Sequence, residues 1–189
     1  MRAFIAIELP EKIKNSLAVL QEKLKSSQAD VKWVEKNNIH LTLKFLGEVD
    51  ENKISEVTTS LNKIALHTPS YQAIISSLGG FPKIDYPRVI WAGIGNGDQE
   101  TKNIAKLIEE NLEKIGFAKE ERAFASHITL GRTRSGKNQK KLGELLKKMQ
   151  VESSIAENFK VDKITLFKSQ LSPKGPTYQA IKELSLKNT

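Results

Sequence analysis

Two short segments constrain this chain more than anything else in it. His40-Leu41-Thr42-Leu43 is echoed by His127-Ile128-Thr129-Leu130, the two histidines standing 87 positions apart in a chain of 189. Together the copies use two of the three histidines present. Each copy lies in a run that alternates apolar and polar residues, and successive side chains of a strand point to opposite faces. His40 and Thr42 are therefore expected on one face, with Lys44 beyond them, while Ile39, Leu41, Leu43 and Phe45 point into a core. Likewise His127 and Thr129 share a face, backed by Ile128 and Leu130. The expectation is two similar lobes, each supplying one H-x-T-x on a rigid apolar backing.

The remaining periodicities give an order of elements. Ala3 to Glu8 reads as a strand. Pro10 stands where a first helical residue would, followed by Ile13, Leu17, Leu20 and Leu24 at helical spacing. Val31 to Glu35 and Ile39 to Leu46 read as strands. Asp50 is a plausible N-cap for a helix carrying Ile54, Val57, Leu61 and Ile64. Tyr71 to Leu78 and Arg88 to Ile94 read as strands on either side of a breaker-rich GGFPKIDYP turn region. Asp98 caps a helix with Ile104, Leu107, Ile108, Leu112 and Ile115, ended by Gly116. Ser126 to Leu130 is a strand. Leu142, Leu145, Leu146 and Met149 stripe a fourth helix, and Val161 to Lys168 and Thr177 to Leu186 close the chain as strands. No low-complexity linker divides it. The fold class expected is α+β, mostly antiparallel sheet with helices packed outside, in one two-lobed domain over residues 1–189.

Composition narrows the function classes. There is no cysteine, which excludes disulfides, iron–sulfur clusters and a thiol nucleophile. Thirty Lys and Arg against 22 Asp and Glu leave a net charge of +8, which fits a polyanionic partner such as nucleic acid or serves solubility alone. No apolar run approaches the roughly 18 residues of a membrane span. The N-terminus meets Glu8, Glu11 and Lys12 too early for a signal peptide, so a cytoplasmic, membrane-free address is expected. No heptad or long apolar seam appears, and a monomer is the default.

If the lobes pack about a pseudo-twofold, the two polar faces confront each other and two imidazoles flank one reacting atom. Histidine titrates near neutrality, so a pair holds a neutral base and a protonated acid together. That suits in-line phosphoryl chemistry, in which a nucleophile loses a proton and a leaving alkoxide gains one. Threonine hydroxyls donate to phosphate oxygens. Metal ligation is the competing reading, but a catalytic zinc takes three protein ligands and neither copy carries an acidic residue on its histidine face. A third reading makes both histidines ordinary polar strand residues. His67, beside the Thr68-Pro69 turn, has no matching partner and reads as an exposed turn histidine.

At this point the residues resemble a known family, the two-histidine phosphoesterases, and among them the RNA 2′,3′-cyclic phosphodiesterases, also called LigT-like 2′-5′ RNA ligases. Arg2 to Pro10 resembles its opening strand and helix start. Val31 to Val34 with Asn38 to Gly47 resembles its first motif region. Pro87 to Gly93 resembles a central strand, Ser126 to Arg132 the second motif, and Leu166 to Ser169 a late strand. The resemblance implies a bilobal fold with a central cleft between two related sheets. It implies hydrolysis of RNA or nucleoside 2′,3′-cyclic phosphate to a 2′-phosphate with no cofactor and no metal. His127 would be the proton acceptor, activating water, and His40 the proton donor to the departing 3′ oxygen. Thr42, Thr129 and Arg132 would hold the phosphate. The implied partner is RNA with a cyclic phosphate end, tRNA included. Joining of RNA halves through 2′-5′ links, or non-catalytic binding of RNA ends, are the alternative tasks for the same site.

Two departures and several neighbours remain open at this level. Ser126 stands where family members often carry proline. Strict alternation from His127 puts Arg132 on the wrong face, unless a bulge at Gly131, where glycine permits the required φ, turns it back. Phe4 is open between core and base-stacking platform, and Phe45 reads as core. Lys44 reads as a phosphate attractor or a solvated residue. The KKLGELLKK run reads as a solvated helix face, and Arg132 to Lys137 as a flexible basic loop beside the site.

Overall fold

The computed structural model describes residues 1–152, 157–173 and 175–188. Among them, nine strands and four helices follow one another: β1 (Arg2–Glu8), α1 (Glu11–Lys25), β2 (Val31–Trp33), β3 (His40–Glu48), α2 (Glu51–His67), β4 (Tyr71–Phe81), β5 (Val89–Ile94), α3 (Asp98–Glu113), β6 (His127–Thr133), α4 (Gln139–Glu152), β7 (Glu157–Val161), β8 (Lys163–Ser172) and β9 (Gly175–Ser185). A short 3-10 turn, Lys36–Asn38, leads into β3.

The helices form where the sequence spacing puts them. Ile13, Leu17, Leu20 and Leu24 of α1, and Val57, Leu61 and Ile64 of α2, are buried at helical intervals. They pack into one apolar cluster with Ile5 and Ile7 of β1 and Ile75 of β4. The lysines of the α4 run, Lys140, Lys141, Lys147 and Lys148, are exposed, as a solvated face requires. His67 ends α2 in solvent, its Nδ1–H donating to the Lys63 carbonyl at 2.8 Å. No helix among the described residues is long and apolar enough to cross a membrane.

Two elements depart from the sequence reading. β4 runs on through Gly79, Gly80 and Phe81, which read as turn, because the Trp91 indole lies against Gly79 and leaves no room for a side chain there. β7 was not expected at all, since its five residues bury only Phe159 and Val161.

The larger correction concerns the sheet. Two sheets were expected, but the strands form one, in the order β7-β4-β5-β6-β3-β1-β8-β9, with β2 beside β6. Every pairing within it is antiparallel. Read outward from the middle, one half is β6-β5-β4-β7 and the other β3-β1-β8-β9. β4 follows the first motif in the chain yet lies in the second motif's half, and β8 does the reverse. The halves meet where Leu41 of β3 opposes Ile128 of β6, the one registered pair between them. An unpaired strand edge leaves a row of amides and carbonyls unsatisfied. Pairing β3 to β6, and β2 to the remainder of β6, removes that exposure at the centre of the molecule.

Candidate active site

The joint between the halves is also where the two H-x-T copies lie. Antiparallel register continued one residue either side of Leu41–Ile128 sets His40 opposite Thr129 and Thr42 opposite His127. Opposed residues share a face, so both histidines and both threonines project on the same side of the sheet. The diagonal between the histidines corresponds to a spacing of about 7–8 Å for their strand positions.

Each motif is followed by a β-bulge, which inserts one residue and reverses the faces beyond it. On β3, Ala6 opposes Thr42 but Ile5 opposes Lys44, so Leu43 is the extra residue. On β6, Trp91 opposes Thr129 but Ile90 opposes Gly131, so Leu130 is the extra residue. The residue five places after each histidine is thereby returned to the histidine face. Phe45 shares that face with His40 and lies 61% exposed. Arg132 shares it with His127 and Thr129, opposite Val89.

These bulges overturn two expectations. Phe45 is not core. Lys44 does not face the site: it turns inward, 3% exposed, and its Nζ donates to Glu109 Oε2 at 2.7 Å and to the Ala118 carbonyl at 2.9 Å. Arg132 does return to the histidine face, but Gly131 is not at positive φ. Glycine is needed there for space, since a Cβ would lie 2.7 Å from Val31 Cγ1 on the adjoining β2. The bulge carbonyl, Leu130 O, accepts from Val34 N at 2.9 Å and from Gln21 Nε2 at 2.8 Å. Gln21, buried on α1, is a bracing residue that no sequence pattern announced.

The two imidazoles are fixed alike. His40 Nδ1 lies 2.7 Å from the Asn38 carbonyl, and His127 Nδ1 lies 2.7 Å from the Ala125 carbonyl. A carbonyl only accepts, so each Nδ1 carries a proton and each neutral ring keeps its lone pair on Nε2. In His40 that atom accepts from the Thr42 hydroxyl at 2.9 Å. Asn38 is itself tied down, its Nδ2 donating to the Pro176 carbonyl at 2.8 Å.

Their surroundings differ. His40 packs against Phe4 (ring centroids 4.9 Å apart) and edge-on to Tyr178 (5.3 Å), with Phe167 stacked on Phe4 and 6.5 Å from the imidazole. Phe4 is 3% exposed, so it is a wall of this cluster and not an open platform. Burial pushes His40 down to about 4, helped by the nearby Lys14 charge and opposed by the Asn38 carbonyl. Burial also raises the Tyr178 hydroxyl, and the Arg132 guanidinium, reaching across from the other half, partly offsets that rise. On its side His127 meets Phe81 edge-on at 5.3 Å.

Glu8 opposes His40 on β1, so the neighbouring strand brings to the histidine face a carboxylate that neither motif copy carries itself. Lys14 and Lys163 approach it at 3.9 and 3.7 Å. Among the described residues no three His, Asp or Glu side chains are grouped to share a metal ion. A cavity of about 320 Å³ lies elsewhere, between Asp50, Lys53 and Phe117, and contains neither motif.

Comparison with known proteins agrees with this internal symmetry. The family described as LigT like Phosphoesterase matches twice, over residues 7–91 and 94–178. The second match begins 87 residues after the first (94 against 7), the same spacing that separates His127 from His40. The chain is 42% identical to a Methanocaldococcus jannaschii protein named RNA 2′,3′-cyclic phosphodiesterase, over 97% of this chain and 99% of that one. Its fold is similar to the crystal structure of TT0787 of Thermus thermophilus, with a TM-score of 0.82, 24% identity, and coverage of 100% and 99%. It is similar also to E. coli LigT complexed with 3′-AMP, with a TM-score of 0.77, 24% identity, and coverage of 98% and 97%.

Proposed function

This chain belongs to the LigT-like phosphoesterase family, and on that premise we propose that it hydrolyses RNA ends bearing a 2′,3′-cyclic phosphate, the activity for which its 42% identical relative is named. Water attacks phosphorus in line with the 3′ oxygen. His127 Nε2 takes the proton of the water, His40 Nε2 gives one to O3′ as the P–O3′ bond breaks, and a 2′-phosphomonoester remains. The Thr42 and Thr129 hydroxyls donate to the non-bridging oxygens, and Arg132 offsets the charge that builds on them.

The observation that most supports this reading is the Leu41–Ile128 register. It gives one face a histidine and a threonine from each motif, with each Nδ1 already committed to a carbonyl. Arg132 joins that face through its bulge. His40, held near 4 by burial, is neutral around pH 7 in the free protein. A phosphodiester anion beside Nε2 favours its charged form, so binding of substrate recruits the proton that the acid later gives up. The developing charge is met by an imidazolium, two hydroxyls and a guanidinium, and no step requires a metal.

The test is hydrolysis of a nucleoside 2′,3′-cyclic monophosphate. His40→Ala and His127→Ala should each lower kcat by at least ~100-fold, the lower end for a general acid or base. EDTA should leave the wild-type rate unchanged, and the product should be the 2′-phosphate. Wild-type turnover by the His40→Ala, His127→Ala double variant would falsify the assignment.

A further inference from the structure

The aromatic residues of the histidine face form two groups, one beside each imidazole. Phe4, Phe167 and Tyr178 bury His40, with Phe45 exposed at their margin. The second group, Phe81 and Trp91, lies on the His127 side and has no part in the chemistry above. Phe81 is 5.3 Å from the His127 ring, edge-on, and 5.1 Å from Trp91. Trp91 opposes Thr129 on one side and Gly79 on the other, and Gly93, the next residue on this face of β5, opposes His127.

The sheet is stripped of side chains to let this indole lie down. A Cβ on Gly79 would sit 2.2 Å from Cζ2 of Trp91, and one on Gly93 would meet Ser77 Oγ at 2.4 Å as well as Cζ3 of Trp91 at 2.9 Å. The ring therefore rests on both glycines, and its opposite face, with Phe81 beside it, is turned away from the sheet toward the side on which His127 projects. Neither ring is buried, and Phe81 is 36% exposed. Nε1 of Trp91 is one of three buried side-chain polar atoms without a partner among the described residues. A buried indole N–H without a protein partner is uncommon in a folded protein.

We propose that Trp91 and Phe81 form a stacking site for a second nucleoside, the one whose 5′ oxygen occupies the position of the attacking water. The inference rests on the preceding reading, in which His127 serves the attacking oxygen. When a 5′-hydroxyl replaces water, the O5′–P bond forms as P–O3′ breaks. The hydroxyl proton passes to His127 Nε2, O3′ takes the proton of His40, and the product is a 2′-5′ phosphodiester. In reverse, O3′ of a 2′-5′-linked dinucleoside monophosphate attacks phosphorus, its proton goes to His40, and O5′ leaves with the proton of His127. Water needs no aromatic surface beside His127, whereas a nucleoside does. Stacking a base on an aromatic ring strengthens binding by about tenfold.

The experiment compares kcat/KM for adenosine 2′,3′-cyclic monophosphate hydrolysis with that for cleavage of 2′-5′-linked diadenosine monophosphate, in the full-length protein. Because Phe81 touches His127, the readout is the ratio of the two values, in which any change in the shared chemistry cancels. Phe81→Ala should lower the dinucleotide-to-mononucleotide ratio about tenfold, and Phe81→Tyr should restore it. Trp91→Leu gives the same readout from the other ring should Phe81→Ala fail to fold. An unchanged ratio in the folded alanine and leucine variants overturns the assignment, as does a wild type that opens the cyclic phosphate but leaves the dinucleotide intact. A wild type that turns over neither substrate overturns the hydrolase reading itself.

Discussion

His40 and His127 carry the same tetrapeptide pattern, yet their surroundings set them apart. His40 lies among Phe4, Phe167 and Tyr178 and is pushed down to about 4 from an ordinary value of 6.5. Below pH 6.5 the unfolded chain binds a proton that folded His40 refuses, so this residue supports stability fully above 6.5 and loses that support as pH falls toward 4. The loss amounts to at most about 3 kcal/mol. Denaturant midpoints at pH 7 and pH 4.5 should therefore move less in His40→Gln than in the wild type. The same burial predicts a difference between two kinetic profiles. The limb that His40 contributes to kcat/KM, which reports free enzyme, should lie near 4. In kcat, which reports the complex, it should move to higher pH because phosphate charge favours the imidazolium; coincident limbs would remove substrate-linked protonation from the mechanism. The histidines and threonines were legible from their repeat, since alternation needs only local geometry. The depressed His40 was not, because three of the rings around it come from β1, β8 and β9, more than 30 residues away in the chain.

Among the elements, the bulged strands decide what faces the site. Strict alternation along β3 predicts Lys44 at the site and Phe45 in the core, and one inserted residue, Leu43, exchanges them. The equivalent insertion of Leu130 on β6 brings Arg132 to the His127 face. The sign that could have been read is the repeat itself, extended by two positions: Phe45 and Arg132 each stand five residues after their histidine. Lys44, turned inward, anchors β3 to α3 through Glu109 and to the chain approaching β6 through the Ala118 carbonyl. Lys44→Met leaves Glu109 without that cation and should destabilise the protein by about 3 kcal/mol, the lower end for breaking a buried pair. Adding Glu109→Leu should recover most of the loss. A double variant no more stable than Lys44→Met in urea titration would show that the pair contributes nothing as a pair. Gln21→Leu, which strips the Leu130 and Val34 carbonyls of a shared donor, should destabilise by about 1–3 kcal/mol.

In the whole molecule, each half of the sheet is completed by a strand from the other half of the chain. β4 belongs to the first family repeat but pairs with β5 and β7, while β8 belongs to the second and pairs with β1 and β9. Residues 1–87 alone would keep β1, β3 and β4 without the partners of β4 and the second neighbour of β1. Neither that fragment nor residues 88–189 should show a cooperative thermal transition by circular dichroism, whereas the intact chain should unfold in one step. A cooperatively melting fragment would contradict this account of the halves. The sequence by itself determined the repeat, the α+β class, the helices and the pairing of each motif histidine with a threonine on one face of its strand, because periodicity and a duplicated motif are properties of neighbours along the chain. Tertiary structure alone decided that there is one sheet and not two, that Lys44 turns in while Phe45 and Arg132 turn out, and that the Trp91 ring lies over Gly79 and Gly93. Those outcomes depend on which distant strand edge each strand finds, and strand pairing is fixed by contacts that no local spacing encodes.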